Sequence, residues 1–426
     1  MMRTVCLVGA LLAAAPVAAQ TGPALSLRDA EARALQNHPQ VLAGRYLAQA
    51  GSEMTREARS AYFPTVYGNV TGAAAQDNSR ITAGGLNNPI ILDRVAAGVS
   101  FAQLVTDFGR TSDLVQTASL RAQALEQGAV TDRSDVLLRV DRSYFNALRA
   151  QAILRVAVET VNARQLVADQ VSALAASNLK SGLDVSFAKV NLSEAQLLLL
   201  QARNDSAAAL AGLAAALGQG DAPAYVLSEE PLPPPPPIDE SALVAQALRD
   251  RPDFSAERFA SESSAKFAQA ERALWFPTVS AIGAAGITPI RQDTLAAQYS
   301  AIGINVAVPL TNGNLFGARR AEATLRAQAE SERLRDLENR VSRDVRVALL
   351  DAQTGFQRLD LTNQLLDQAS QAQDLAESRY NLGLSSIVEL TQAQLNKTRA
   401  EIEQASARYD YQARMAALRY QTGDLK

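Results

Sequence analysis

The residues able to do chemistry are few. Histidine occurs once, at His38, and cysteine once, at Cys6. A nucleophilic triad needs a base beside an activated Ser or Cys, and one histidine at a helix end supplies little for that. A metal centre rich in histidine or cysteine lacks its ligands. Carboxylates are abundant, but they stand on helical stretches whose charged side is the ordinary solvated face. No enzymatic activity, cofactor or metal is expected. The net charge of −3, without a basic block, argues against nucleic acid as a partner.

What the chain has instead is length without interruption. Thr111–Lys180 contains no proline and one glycine, Gly128. Helix formers fill it, and Val140, Ala147, Leu154, Val161, Ala168 and Ala175 recur every seventh residue, a coiled-coil seam. At about 1.5 Å per residue such a helix is roughly 100 Å long, so something has to span a distance. A copy runs over 318–380, where Val345, Ala352, Leu359 and Leu366 stand 205 positions after Val140, Ala147, Leu154 and Val161. Tyr62-Phe63-Pro64-Thr65-Val66 answers Trp275-Phe276-Pro277-Thr278-Val279 at an offset of 213, and Lys180-Ser181-Gly182-Leu183 answers Asn381-Leu382-Gly383-Leu384 at 201. The chain is a duplication.

In order, 1–19 reads as a secretory signal, with Arg3, an apolar run from Val5 to Ala15, and small residues before cleavage near Ala19. The first repeat, 20–218, holds short helices over Leu27–Asn37 and Val41–Tyr62, strands at 65–75 and 94–103, the long helix 111–180 and a return helix 184–217. A polar stretch, Gln76–Asn88, separates the strands. The segment 219–238, with Pro233–Pro237, reads as a stiff polyproline II linker. The second repeat, 239–426, holds two further short helices, strands at 278–286 and 299–310, the long helix 318–380 and a return helix 386–420. In the last strand Ile302, Ile304, Val306, Val308 and Leu310 share one face, while small or polar residues share the other. That alternation suits an outer-membrane barrel, and four strands are too few to close one, so several chains must share it. The fold class is mixed: mostly α, as long coiled-coil hairpins, with membrane β.

Together with Phe108-Gly109-Arg110 and Phe316-Gly317-Ala318-Arg319 after each strand pair, these motifs give a chain that resembles the TolC family of outer-membrane channel proteins over essentially its whole mature length. The resemblance implies a homotrimer in outer-membrane lipid, with twelve strands in one shared barrel, four per chain. It implies an α-barrel tunnel extending into the periplasm of a Gram-negative cell, joined to a periplasmic adaptor and an inner-membrane pump. It sets a closed periplasmic gate near Tyr380, Glu389 and Gln392, with the family's gate arginine falling on Ser385 and that arginine's partner aspartate on Ala188. The tip turns at Gly182, Leu183, Gly383 and Leu384 would meet the adaptor, and both glycines are expected at positive φ. Phe63, Pro64, Phe276 and Pro277 mark the helix-to-strand junctions. The function so implied is the passive exit duct of a tripartite small-molecule efflux system. The alternatives are a type I protein secretion channel and a periplasmic coiled coil without a pore.

Overall fold

Proline starts the paired helices of each half. In the computed structural model, which describes residues 24–74, 93–220, 225–291, 293 and 295–425, β1 (Ala24–Leu25) leads into α1 (Leu27–Asn37) and α2 (Pro39–Arg59). Pro39 is the first residue of its helix, where the missing N–H costs no hydrogen bond. His38 caps it: Nδ1 accepts from the Gln40 N–H at 3.1 Å. The chain continues through β2 (Thr65–Ala73), β3 (Arg94–Thr106), α3 (Arg110–Ala176), α4 (Gly182–Ala216) and β4 (Val226–Leu227). The second half repeats the order as α5 (Glu240–Asp250), α6 (Pro252–Arg272), β5 (Thr278–Arg291), β6 (Gln298–Ala307), α7 (Leu315–Asn381) and α8 (Ile387–Gln421). The expected signal peptide, 1–19, and the polar stretch Gln76–Asn88 lie outside the described residues. No described helix is long and apolar enough to cross a membrane.

Alanine sets the packing of the long helices. In α4 the buried residues Ala188, Ala195, Ala202, Ala209 and Ala216 recur every seven, and Ala393, Ala400 and Ala407 do the same in α8. Side chains this small let backbones approach closely. The predicted seam is buried at Val140, Ala147, Ala168, Val345 and Ala352 but only half-buried at Leu154, Val161, Leu359 and Leu366. On α7 burial continues along the neighbouring row Thr362, Ala369 and Ala376. A straight helix drifts by about 20° per heptad, which moves the buried stripe from one row to the next.

The chain forms two compact units. One comprises residues up to Ala34, Val140–Pro233 and Leu365–Tyr409. Its core includes Ala168, Val171, Ala188, Ala376, Tyr380, Ile387 and Leu390. Here β1 and β4 pair in parallel, and Tyr144, fully buried, donates to the carbonyls of Leu25 at 2.8 Å and Ser228 at 2.7 Å. Burial, followed by Glu230, pushes the Tyr144 hydroxyl up to about 12 and keeps it a donor. Glu229 pairs with Arg408 at 3.0 Å. The segment read as a plain linker is therefore strapped down by its own carbonyls and carboxylates.

The other unit comprises Leu35–Arg139, Pro234–Gln364 and Asp410–Lys426, with a core that includes Leu243, Ala247, Val341, Val345 and Leu418. It carries an antiparallel sheet in the order β2-β3-β5-β6, so the two repeats join through β3 and β5. Register puts Val66, Phe101, Gly283 and Ile302 in one row and Tyr67, Ser100, Ala284 and Ala301 in the next. Because side chains alternate along a strand, one face carries Val66, Val70, Val99, Phe101, Ile302, Ile304 and Val306, and the other Tyr67, Asn69, Ser100, Ala301 and Asn305. The last strand is shorter than the expected 299–310. It ends at Ala307, opposite Thr278, because β5 offers no partner beyond that and Pro309 has no N–H for a ladder. Val308 and Leu310 fall outside it. Conversely β3 and β5 run past Gln103 and Gly286, to Thr106 and Arg291, because each keeps the other as a partner.

Candidate functional site

The first tip turn departs from expectation. Gly182 is not at positive φ; it is the first residue of α4. Asn178 takes the left-handed backbone instead, with φ 60°, and the Leu179 N–H bonds the Leu174 carbonyl at 2.9 Å. At the second tip Gly383 has φ 73°, and the Leu384 N–H bonds the Arg379 carbonyl at 2.8 Å. Both are Schellman closures, with Asn or Gly at the one position that needs αL. Asn178 and Gly383 stand 205 apart, the offset of the seams, so the match of Gly182 with Gly383 was four residues out of register.

After each closure a serine starts the return helix. Ser181 Oγ accepts from the Asp184 N–H at 3.2 Å while Asp184 Oδ2 accepts from the Ser181 N–H at 3.0 Å, a capping box. The hydrogen bonds from the Ser181 side chain and backbone hold the Asp184 carboxyl below its ordinary 3.8. Ser386 and Glu389 occupy the same two places on α8, where the Glu389 N–H reaches Ser386 Oγ at 3.4 Å. The Ser-x-x-Asp/Glu spacing was available in the sequence as the signal for both.

The predicted gate residues differ in their surroundings. Glu389 is paired: its Oε1 lies 3.5 Å from Arg379 Nε, and both side chains are about half exposed. Tyr380 is only 6% exposed. Its ring lies under the Lys180 ammonium, 3.8 Å from Nζ to the centroid, and its hydroxyl is buried without a hydrogen-bond partner. Burial, then the Asp184 charge, raises the Tyr380 pKa. Gln392 is exposed and bonds Asn396 along its own helix at 3.0 Å. Ala188 is buried against this core, and Ser385 Oγ has no hydrogen-bond partner. Leu179, Leu183, Leu382 and Leu384 are all about two-thirds exposed or more. Lys180 and Arg379 are the tip residues that sequence reasoning missed.

The helix-to-strand junctions are built differently. Phe276 packs on Phe108 and Trp275 on Phe316, each with centroids 5.8 Å apart, while Phe63 is exposed and Pro64 and Pro277 lead into β2 and β5. Glu271, 1% exposed, is gripped by Arg319 at 2.7 and 2.8 Å, with Arg110 at 3.9 Å. The two arginines come from the first turns of α7 and α3, the paired motifs after the strands. His38 is likewise structural, its pKa lowered by burial and by Arg139. No cluster of metal-ligating side chains occurs among the described residues.

Residues 32–219 and 243–424 match the outer membrane efflux protein family. The chain belongs to that family. It is similar to outer membrane protein TolC of Vibrio cholerae, 24% identical over 92% of this chain and 89% of the relative. It is 30% identical to protein CyaE of Bordetella pertussis over 53% of this chain, a match spanning 46% of that longer protein. Among solved structures, the Campylobacter jejuni CmeC outer membrane channel superposes with a TM-score of 0.81 over 99% of this chain and 94% of its own, at 16% identity. The fold is that of the channel proteins, mostly helical with a small sheet.

Proposed function

We propose that this chain is one subunit of a trimeric outer-membrane duct that exports small molecules, working with a periplasmic adaptor and an inner-membrane pump. The observation that carries this is the sheet. Ile302 is 83% exposed, Ile304 75% and Val70 80%, all on one face, opposite a face that mixes Asn69, Ser100, Ala301 and Asn305 with Tyr67, Ile282 and Tyr299. Apolar side chains in that number belong against lipid, and the more polar face against water. Both edge strands, β2 and β6, are left with unpaired backbone, which neighbouring copies would pair. Three chains would bring twelve strands. The family relationship supports the outer-membrane setting.

In this reading the tips frame the periplasmic mouth, and transport needs neither cofactor nor energy from this chain. Glu389 is not a bare carboxylate there, because Arg379 balances it. Glu389→Ala would leave the arginines in the mouth and shift selectivity toward anions in planar bilayers; unchanged selectivity would remove Glu389 from the mouth. The export function is tested by comparing a strain lacking this gene with its parent on a panel of drugs, dyes and metal salts. Sensitivity reversed by the complementing gene is expected. Unchanged sensitivity with a protein missing from the medium would replace small-molecule efflux by protein secretion.

A further inference from the structure

A polar cleft of about 180 Å³ opens among α3, α7 and α8, within the unit that also holds Tyr144. From α3 come Glu159 and Arg164, from α8 Gln394, Lys397 and Glu401, and from α7 Gln373. The three α8 residues stand three and four apart, the spacing of one helix face. Charge and amide groups therefore line the cleft, where the buried rows of these helices carry alanine at Ala168, Ala376, Ala393 and Ala400.

The charges are not matched among themselves. Burial raises the Glu401 carboxyl above its ordinary value; Lys397, one turn away on the same helix, opposes the rise, and Glu159 adds to it. Arg164 has no close partner of this kind. It is 8% exposed, and among the described residues no carboxylate lies within ion-pair distance of it. Burial lowers its pKa, and Glu194 opposes that only from further off. A guanidinium held away from bulk water without an anion is costly. Its planar fork of donors suits a carboxylate in particular. Glu159 cannot supply one, because it lies five residues from Arg164 on α3, beyond the one-turn pairing, and is exposed.

We infer that this cleft binds a small zwitterion of the amino-acid class, with its carboxylate on Arg164 and its ammonium toward Glu159 and Glu401. A bare anion would satisfy Arg164 but face the two carboxylates. A bare amine would leave the arginine unmatched. A molecule carrying both charges answers both ends, and the amides of Gln373 and Gln394 offer donors and acceptors to it. The cleft has room for a ligand of that size, and it is smaller than the roughly 300 Å³ at which drug-sized pockets begin. The inference stands on the cleft alone and does not depend on the duct reading.

The test is isothermal titration calorimetry of the full-length protein in detergent at neutral pH. L-alanine is the probe, with propionate and isopropylamine as its single-charge counterparts. Saturable binding of L-alanine is expected, at least about tenfold tighter than either counterpart, since losing a charge-assisted hydrogen bond costs about that factor. Arg164→Gln is expected to weaken L-alanine at least about tenfold, and Glu159→Gln several-fold. Thermal melting checks both variants: Arg164→Gln removes a buried charge and should melt no lower than the parent, and Glu159 is exposed, so its variant keeps the fold. L-alanine should raise the parent's melting temperature and leave that of Arg164→Gln unchanged. No saturable binding of L-alanine would overturn the inference. Propionate binding as tightly would make the cleft a plain anion site and overturn it as well. Binding that survives both substitutions would place the ligand elsewhere, with the same consequence.

Discussion

The junction between strands and helices and the tip of the helical hairpins solve the same problem in opposite ways. Each must hold segments from the two repeats together. At the junction a buried carboxylate, Glu271, accepts a hydrogen bond from Arg319 Nη2 at 2.8 Å and lies 2.7 Å from Arg319 Nε, with a longer contact to Arg110 and two aromatic pairs in the same region. Glu271 is buried while Arg319 is partly exposed, so removing the arginine strands the carboxylate away from water and is expensive. At the tip the ion pair is half exposed, and the hairpins meet through a small apolar core around Ala168, Ala188, Ala376 and Tyr380, a ring face and one amide–hydroxyl hydrogen bond. Screening by water makes that ion pair worth little. The lesson is that a buried ionic contact holds the junction, whereas a half-exposed ion pair stands at the tip.

The comparison breaks most readily at Glu271. Arg319→Ala, which leaves the Glu271 carboxylate buried without its nearest partner, should cost about 3–5 kcal/mol, read from denaturant unfolding of the detergent-solubilised protein. A loss below about 1 kcal/mol would mean the junction is no firmer than the tip. Ile304→Lys tests the same unit on the face proposed to meet lipid, with an expected cost of about 2–4 kcal/mol and a fall in assembled protein in the outer membrane. Normal assembly would contradict the face assignment. At the tip Ser181→Ala should cost only about 1 kcal/mol, the usual worth of an N-cap. Because Asp184 titrates lower in the fold than its ordinary 3.8, its contribution is present above that value and is lost as pH falls through the folded pKa. The variant should therefore lose most of its deficit in strong acid, where the parent has lost the same contact. The smallest effect belongs to Arg379→Gln, under about 0.5 kcal/mol, because both partners are solvated. A larger loss would mark the tip as anchored too.

Much of the architecture was legible because periodicity and punctuation carry it. The seven-residue rows, the proline starts of α2 and α6 and the paired strands all follow from residue type and spacing. The tip was misread by four residues because glycine was taken as the only αL signal, and Asn178 served instead. Its capping serines were in plain view. Glu271 was not legible, since a single glutamate on an amphipathic helix looks like any solvated one until two arginines from distant segments close on it. The proline-rich strap was hidden for another reason: its anchors are backbone carbonyls, which every residue has. Lys180 and Tyr380 are 200 positions apart, and only the fold makes them neighbours.

Amide hydrogen exchange on the full-length protein tests the contrast most directly. The amides to compare are helical ones in both regions, 265–271 and 319–326 around Glu271 against 374–381 and 390–396 around Tyr380. The account predicts exchange at least about tenfold slower around Glu271, and a Glu271→Gln variant in which that difference shrinks. Equal protection of the two regions, or slower exchange around Tyr380, would contradict it.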